Sequence, residues 1–228
     1  MLELIQEYWL YFLVGQYPNG PLGGMALTVI LAALGLVFGL MRVSPYKWVR
    51  LPITGFVYVV RGLPLLMVVF WAYFFLPTLT GVKTNQFWTM LIVLVVFDAA
   101  YLAEIVRAGI QSLPKGQMEC ARSLGLSYMK AMRTVILPQA LRNSLPSLVN
   151  QFISTIKETS LGYIIGLTEV SFIANQINAL TFTKAAEVFS ILGLTYFVLC
   201  FSLSRLAYWL ERRLVRQGLG VKPVKVSA

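Results

Sequence analysis

The sequence predicts an all-α, polytopic membrane protein with five transmembrane helices, an N-terminal surface helix and a projecting cytoplasmic helix. Three observations predict this fold class. Of the 228 residues, 58% are hydrophobic and only 12% are charged, too little polar surface for a soluble domain of this length. Five apolar stretches reach the roughly 20 residues that a helix needs to cross hydrocarbon. The cations cluster in alternate connections between these stretches.

Residues 1–20 form a surface helix and a linker in this prediction. The stretch 2–14 is too short for a comfortable span, and Glu3, Gln6 and Glu7 recur in it at helical spacing. Such a segment is typical of a helix that lies in the membrane interface. A cleaved signal peptide is disfavoured because the segment has no basic start and no small-residue cleavage site.

Residues 21–214 form the transmembrane domain, and residues 215–228 form a cytoplasmic tail. The predicted spans cover residues 22–41, 52–76, 87–106, 141–165 and 188–210. Fifteen of the 19 Lys and Arg residues lie after the first span, after the third span or at the C-terminal end. By the positive-inside rule, the N-terminus is outside and the C-terminus is cytoplasmic. The connections at 77–86 and 162–184 are then extracytoplasmic, and the second should contain a short helix.

The segment 114–138 lies between the third and fourth spans and is therefore cytoplasmic. Pro114 marks its start, Gly125 permits a turn, and Pro138 marks either a break or the first turn of the next helix. The pattern predicts a short helix, a glycine bend and a second helix. The alternative is a solvated loop whose cations only set the topology.

Composition also limits the chemistry of the chain. It contains no histidine, two distant cysteines and no G-x-x-x-x-G-K-[ST] loop, so we predict no catalytic residue, no metal site and no ATP hydrolysis by this chain. The net charge is +10, and the cations are distributed as membrane orientation requires. A lipid bilayer and not nucleic acid is therefore the expected partner.

Segment 114–138 resembles the EAA loop of ABC importer permeases, in which Glu-Ala-Ala is followed at fixed spacing by Gly, Ile and Leu-Pro. Two positions depart from the pattern by small apolar changes, a cysteine for an alanine and a valine for an isoleucine. The matching residues are Glu119, Cys120, Ala121, Gly125, Val135, Leu137 and Pro138. The stretches RGLPLL, AYLAEIVRAGIQSLPKGQ, ILPQALRNSLPSLVN and IKETSLGY resemble the HisMQ branch, the polar amino acid permeases.

This resemblance implies a permease subunit of an ATP-driven importer in the cytoplasmic (inner) membrane. It implies a second permease subunit, the same chain or a related one, and a cytoplasmic ABC ATPase dimer that receives the coupling (EAA) helix. It also implies an extracytoplasmic amino-acid-binding protein. No cofactor is expected on this chain, because ATP binds to the partner.

The fourth span carries a polar stripe that is a candidate for the substrate path. Its residues step by four and three along a helix, and polar groups in hydrocarbon mostly face a cavity or a bundle interior. The alternative is hydrogen bonding between packed permease subunits. The stripe consists of Asn143, Ser147, Asn150, Ser154 and Lys157, with Gln151 and Glu158 on its neighbouring edge.

Further candidates come from the resemblance and from charges in apolar segments. Lys157, Glu158, Thr159 and Ser160 match a family motif near the membrane-embedded substrate site, although the family more often has Asp at position 158. Arg61 could bind a substrate carboxylate, but snorkelling or pairing with an acid is favoured. Glu104 and Arg107 can pair with each other. The complete predicted substrate path is Arg61, Pro64, Asp98, Asn150, Ser154, Lys157, Glu158, Thr159 and Ser160.

The predicted cargo is a polar amino acid. Acidic amino acids or their amides are favoured because cations at 61 and 157 could meet an extra carboxylate. Basic amino acids remain an alternative because Asp98 and Glu158 could bind them. Two other classes stay open at this point: an ion-coupled secondary carrier, and a scaffolding membrane subunit that needs the cytoplasmic segment but not the polar stripe.

Overall fold

The computed structural model describes residues 33–181 and 184–216 of the chain. The predicted surface helix at 2–14, the larger part of the first predicted span and residues 217–228 of the predicted tail lie outside the described residues.

The described part of the chain consists of helices and short connections, with no strand in it. Its first half contains α1 (Ala33–Arg42), α2 (Lys47–Gly62), α3 (Leu65–Phe70), a π-helical turn (Trp71–Phe75), α4 (Leu76–Thr80) and α5 (Gln86–Gln111). Its second half contains α6 (Lys115–Ser123), α7 (Tyr128–Ala131), a π-helical turn (Met132–Ile136), α8 (Leu137–Glu158), a 3₁₀ helix (Thr159–Ile165), α9 (Val170–Thr181) and α10 (Ala185–Arg216).

Two described helices are long and apolar enough to cross a membrane: α5, and the part of α10 that covers Ala185–Trp209. The predicted span over 52–76 contains a sharp bend, so this part of the chain is either a broken span or a re-entrant segment. Helix α2 ends at Gly62, and the chain bends by 100° before it continues as α3. Leu63 is extended, with φ −101° and ψ 140°, because the ring of Pro64 disfavours helical geometry in the residue before it. The count of five spans stays a prediction.

Helix α5 forms the centre of the bundle. It packs against α2, α3 and α8, which explains why both its apolar and its small residues are buried. Val93, Leu94 and Phe97 meet Leu65 and Val69 of α3 in the largest cluster of buried apolar side chains in the described chain. By contrast, α10 leaves most of its apolar surface uncovered by the rest of the chain. In a bilayer, that surface faces lipid or another subunit.

Glycines allow the central helices to approach each other closely. A Cβ atom added to Gly35 or Gly39 of α1 would lie 2.3 Å or 2.6 Å from the Cβ atom of an α5 side chain. A Cβ atom added to Gly109 of α5 would lie 1.9 Å from the Ser144 Oγ of α8. Small residues are typical of helix contacts inside membranes because they let the backbones approach.

Candidate functional site

The α6–α7 segment contains the short helix, the glycine bend and the second helix expected from its sequence. Gly125 has φ +81°, the left-handed conformation in which a Cβ atom is unfavourable. Two hydrogen bonds close the C-terminus of α6: the Leu126 N–H donates to the Ala121 carbonyl at 3.2 Å and the Gly125 N–H donates to the Arg122 carbonyl at 3.0 Å. This pattern is a Schellman motif, and it fixes the direction in which the chain leaves α6.

Most of the EAA-pattern side chains lie at or near the surface of the segment. Glu119 and Cys120 are exposed, whereas Ala121 is buried. Glu119 is the fifth residue of α6, and no acidic residue lies in the first turn of this helix, so the Glu119 carboxylate does not stabilise the helix N-terminus. The interaction with the helix dipole falls off within the first turn.

Two exposed apolar residues of this segment escaped the sequence analysis. Leu124 is 82% exposed and Met129 is 71% exposed, and they flank the glycine bend on either side. The signal was available, because both are apolar residues inside an otherwise polar, cationic stretch. Exposed apolar side chains on a projecting segment are typical of a surface that docks a partner.

Tyr128 attaches the segment to the membrane bundle. Its hydroxyl donates a hydrogen bond to the Val43 carbonyl at 3.2 Å, in the connection between α1 and α2. Burial raises the pKa of the Tyr128 phenol, so the group remains a neutral donor. Downstream, Pro138 lies in the first turn of α8, which continues from the preceding π-helical turn without a break.

A charge cluster around Glu104 lies beside the α2–α3 bend. Arg107 Nε donates to Glu104 Oε2 at 3.0 Å, as the i, i+3 spacing predicts. Arg42 of α1 pairs with the same carboxylate, and Arg61 Nη1 lies 3.7 Å from it. The Arg61 guanidinium also stacks over the Tyr101 ring, 5.1 Å from its centroid. Arg61 therefore pairs with an acid, the reading that the sequence favoured over substrate binding.

A second polar cluster joins α5 to α8. Asp98 is fully buried, with 0% exposure, and its Oδ1 accepts a hydrogen bond from Gln151 Nε2 at 2.8 Å. Thr155 and Glu158 lie one and two turns further along α8 and also interact with Asp98. Asp98 Oδ2 and Glu158 Oε2 are buried without a hydrogen-bond partner among the described residues. Two acids with unpaired oxygens can share a proton or bind a cationic group.

Some of the remaining predicted path residues face outward, and the others form hydrogen bonds with nearby backbone carbonyls. Asn150 and Lys157 are exposed and Ser154 is half-buried, so this part of the stripe faces away from α5. At the other end of the stripe, Asn143 Nδ2 donates to Ser112 Oγ at the C-terminal end of α5, at 3.5 Å. The hydroxyls of Thr159 and Ser160 donate to backbone carbonyls three residues earlier, at 2.7 Å and 2.6 Å. These two side chains therefore stabilise the start of the 3₁₀ helix.

The predicted short helix in the 162–184 connection is α9. The carboxylate of Glu169 accepts from the Ser171 and Phe172 N–H groups at 2.9 Å and 2.8 Å, which caps the helix. Tyr196 of α10 also donates to this carboxylate, at 3.3 Å. Burial raises the pKa of Glu169 despite these donors. In the described part of the chain, no three His, Cys, Asp or Glu residues form a group that could hold a metal ion.

Comparison with known proteins gives the context for these features. Residues 15–216 match the family described as binding-protein-dependent transport system inner membrane component. The chain belongs to this family. The match covers every described helix and both polar clusters.

Curated relatives of this permease are amino-acid permease subunits, not enzymes, and ATP hydrolysis lies on a separate subunit. The inner membrane amino-acid ABC transporter permease protein YhdY of Escherichia coli K12 is 36% identical over 90% of the chain, which spans 60% of that relative. The arginine transport system permease protein ArtQ of Bacillus subtilis is 38% identical, over 85% of the chain and 91% of the relative. The probable glutamine permease GlnP of Bacillus subtilis is 37% identical, over 82% and 87%.

Solved structures agree with this assignment. A crystal structure of an amino acid ABC transporter with histidines matches 93% of this permease and 98% of its own chain, with a TM-score of 0.79 and 34% identity. An inward-facing structure of the MetNI methionine ABC transporter matches 81% and 91%, with a TM-score of 0.62 and 20% identity. At that identity, the second likeness shows the shared fold alone.

Proposed function

We propose that this chain is the membrane-spanning subunit of an ATP-driven importer that moves polar amino acids into the cytoplasm. The observation that carries the proposal is the α6–α7 segment of this transport permease, whose hydrogen-bonded glycine bend lies between the exposed apolar residues Leu124 and Met129. A partner that contacts this segment can push on α8 directly, because the chain runs from α7 through a π-helical turn into α8. Such a shift biases a helical arrangement between two states and needs no chemistry on this chain.

The proposed assembly contains a cytoplasmic ABC ATPase dimer, a second permease subunit and an extracytoplasmic amino-acid-binding protein. The proposed topology has five spans, the N-terminus outside, the C-terminus in the cytoplasm and the domain limits given by the sequence. The seven EAA-pattern residues form the ATPase-coupling site, and ATP binds only on the partner. Family membership favours this assembly over an ion-coupled carrier.

The proposed substrate path runs along the outer face of α8 and ends at the half-buried Glu158, behind which Asp98 of α5 is fully buried. Asn150, Ser154 and Lys157 supply polar groups that the rest of the described chain does not cover. The two carboxyl groups beside them provide the unpaired oxygens that an amino acid's ammonium group needs. Lys157 can meet the substrate carboxylate from the neighbouring side of the helix.

Acidic and basic amino acids remain the two candidate classes of cargo, and they depend on different charged residues of the chain. The prediction of acidic amino acids or amides depends on two available cations, at 61 and 157. Because Arg61 is engaged by Glu104, the second candidate, a basic amino acid, gains support from the unpaired oxygens of Asp98 and Glu158. The relatives include both kinds, an arginine system and a glutamate/glutamine/aspartate/asparagine system.

The decisive experiment is mass spectrometry of the proteins that co-purify with this chain in mild detergent, followed by uptake in proteoliposomes. We expect an ABC ATPase to co-purify and uptake to require ATP. Competition of uptake by arginine, glutamate and glutamine then separates the cargo classes. A chain that purifies alone and transports without ATP contradicts the proposal.

A further inference from the structure

A cavity of about 520 Å³ opens on the predicted cytoplasmic side of the bundle. It lies between the α1–α2 connection, the C-terminal end of α5 and the α6–α7 segment. Three cationic side chains line it, Arg42, Arg50 and Lys115, and no acidic side chain is among its described lining residues. A pocket with this charge is complementary to an anion.

The deepest of these cations is not fully satisfied by the protein. Arg42 is only 6% exposed, and its guanidinium pairs with Glu104 on one side. Its Nε is buried and has no hydrogen-bond partner in the part of the chain that is described. A buried guanidinium N–H without an acceptor is unfavourable. None of the described residues supplies that acceptor, and an anionic ligand in the cavity would supply one.

Apart from Gln111 and the Tyr128 hydroxyl, the rest of the cavity wall is apolar. A second, apolar cavity of about 480 Å³ lies beside it, and the two share Val43, Tyr128 and Met132. A free inorganic anion would leave these walls unused. An amphiphile, in contrast, places its charge against the cations and its hydrocarbon against the apolar side chains.

We propose that this cavity binds an anionic phospholipid of the cytoplasmic leaflet. The phosphate lies between Arg42, Arg50 and Lys115, and an acyl chain follows the apolar wall. Basic pockets between helices at the cytoplasmic face are suited to such headgroups. Because Met118 of α6 also lines the cavity, the bound lipid contacts the coupling helix and supports its position against the bundle. This inference goes beyond amino acid import.

The test uses the intact transporter, delipidated in mild detergent and titrated with phosphatidylglycerol or phosphatidylcholine of matched chains. Native mass spectrometry counts the lipids bound to each permease chain. We expect one phosphatidylglycerol per chain, bound about tenfold more tightly than phosphatidylcholine, because each basic residue adds attraction for an anionic headgroup. A large excess of inorganic phosphate should not displace it.

The variant pair locates the site. The double variant Arg50→Gln, Lys115→Gln should lose the tenfold preference, whereas the double variant Lys47→Gln, Lys130→Gln should keep it. The control removes the same charge from the same side of the protein, but neither residue lines either cavity. Leu113→Trp, which fills the apolar wall without a charge change, should weaken phosphatidylglycerol binding as well.

Three results overturn the proposal. Equal binding of the two lipids to the unmodified transporter does so without any variant. Equal loss of preference in both double variants shows a diffuse charge effect in place of a site. Displacement of the lipid by inorganic phosphate shows a simple anion site. Because the readout is lipid binding and not uptake, failure here leaves the importer proposal intact.

Discussion

Substitution of Gly125 by alanine tests whether the α6–α7 bend transmits ATPase movement. Beyond the immediate backbone, no atom of the described residues lies within 4 Å of a Cβ added at Gly125, so the variant creates no clash with them. Its effect comes from the left-handed backbone at φ +81°, which costs an L-residue about 1–2 kcal/mol. Since about 1.4 kcal/mol is a tenfold change in an equilibrium constant, the equilibrium between the bent and the unbent segment should shift roughly 5- to 30-fold away from the bent form.

The chain contains a matched control for this change. Gly116 lies in α6, nine residues earlier, also with open space at its Cβ position but with no positive φ. Gly116→Ala should therefore leave the bend intact and raise the stability of the helix slightly. Gly125→Asn should fall between the two, because asparagine visits the left-handed region more readily than alanine.

The assay is ATP-driven uptake by the assembled transporter in proteoliposomes, with ATP hydrolysis measured in parallel. We expect Gly125→Ala to insert and to co-purify with its partners, but to move fewer amino acids per ATP hydrolysed. Gly125→Val should be more severe because a β-branched residue tolerates this backbone less. Full uptake by Gly125→Ala at normal ATP use would refute the coupling role of the bend.

Three further changes test the interior of the bundle. Glu104→Gln leaves Arg42 buried without its carboxylate and should destabilise the chain by about 3 kcal/mol, measured as a lower Tm in detergent. The exposed Glu119→Gln is the control, and equal Tm values for the two variants would contradict the stabilising role of the Arg42–Glu104 pair. Asp98→Asn can keep the hydrogen bond from Gln151 and donate one to Glu158, so the free energy of unfolding should change by less than about 1 kcal/mol while uptake falls. Normal uptake by this variant would show that Asp98 is not part of the substrate path. Gly109→Ala overpacks the α5–α8 contact and should cost about 1–3 kcal/mol, part of which the double variant with Ser144→Ala should recover, because the nearest clashing atom is then gone.

The sequence anticipated features that depend on neighbouring residues. Gly125 was predicted to bend the chain because a turn after a short helix requires a residue that tolerates positive φ, and such a requirement is visible within a few positions. The Glu104–Arg107 pair follows from i, i+3 spacing for the same reason. The α9 helix followed from the composition of its connection.

Features that depend on the register of distant helices were not predictable. The contact between Gln151 and Asp98 joins residues 53 positions apart, and the pairing of Arg42 with Glu104 joins residues 62 apart. To predict either contact, one must know how two packed helices are rotated relative to each other, and that rotation depends on close glycine contacts between the helices. Pro64 signalled a disturbed helix, but one proline is compatible with a mild kink as well as with the 100° bend that is present.

The outer face of α8 provides a final test of the path. Asn150 and Ser147 are exposed in the single chain, yet a polar stripe in contact with lipid is unfavourable, so water or another subunit must cover it. Leu194 on α10 is also 63% exposed, but it is apolar and suited to lipid. Positions 150 and 194 are therefore both exposed in the single chain, but we expect water or another subunit around the first and lipid around the second.

Labelling with a membrane-impermeant maleimide separates these surroundings, because the reagent reacts with thiolates in water. The background carries Cys120→Ala and Cys200→Ala, which removes both native thiols. In it, we expect Asn150→Cys to react severalfold faster than Leu194→Cys, and an excess of transported amino acid to slow only the former. If both variants react equally slowly in the assembled transporter, the stripe is not open to water, and helix packing between subunits is then its role.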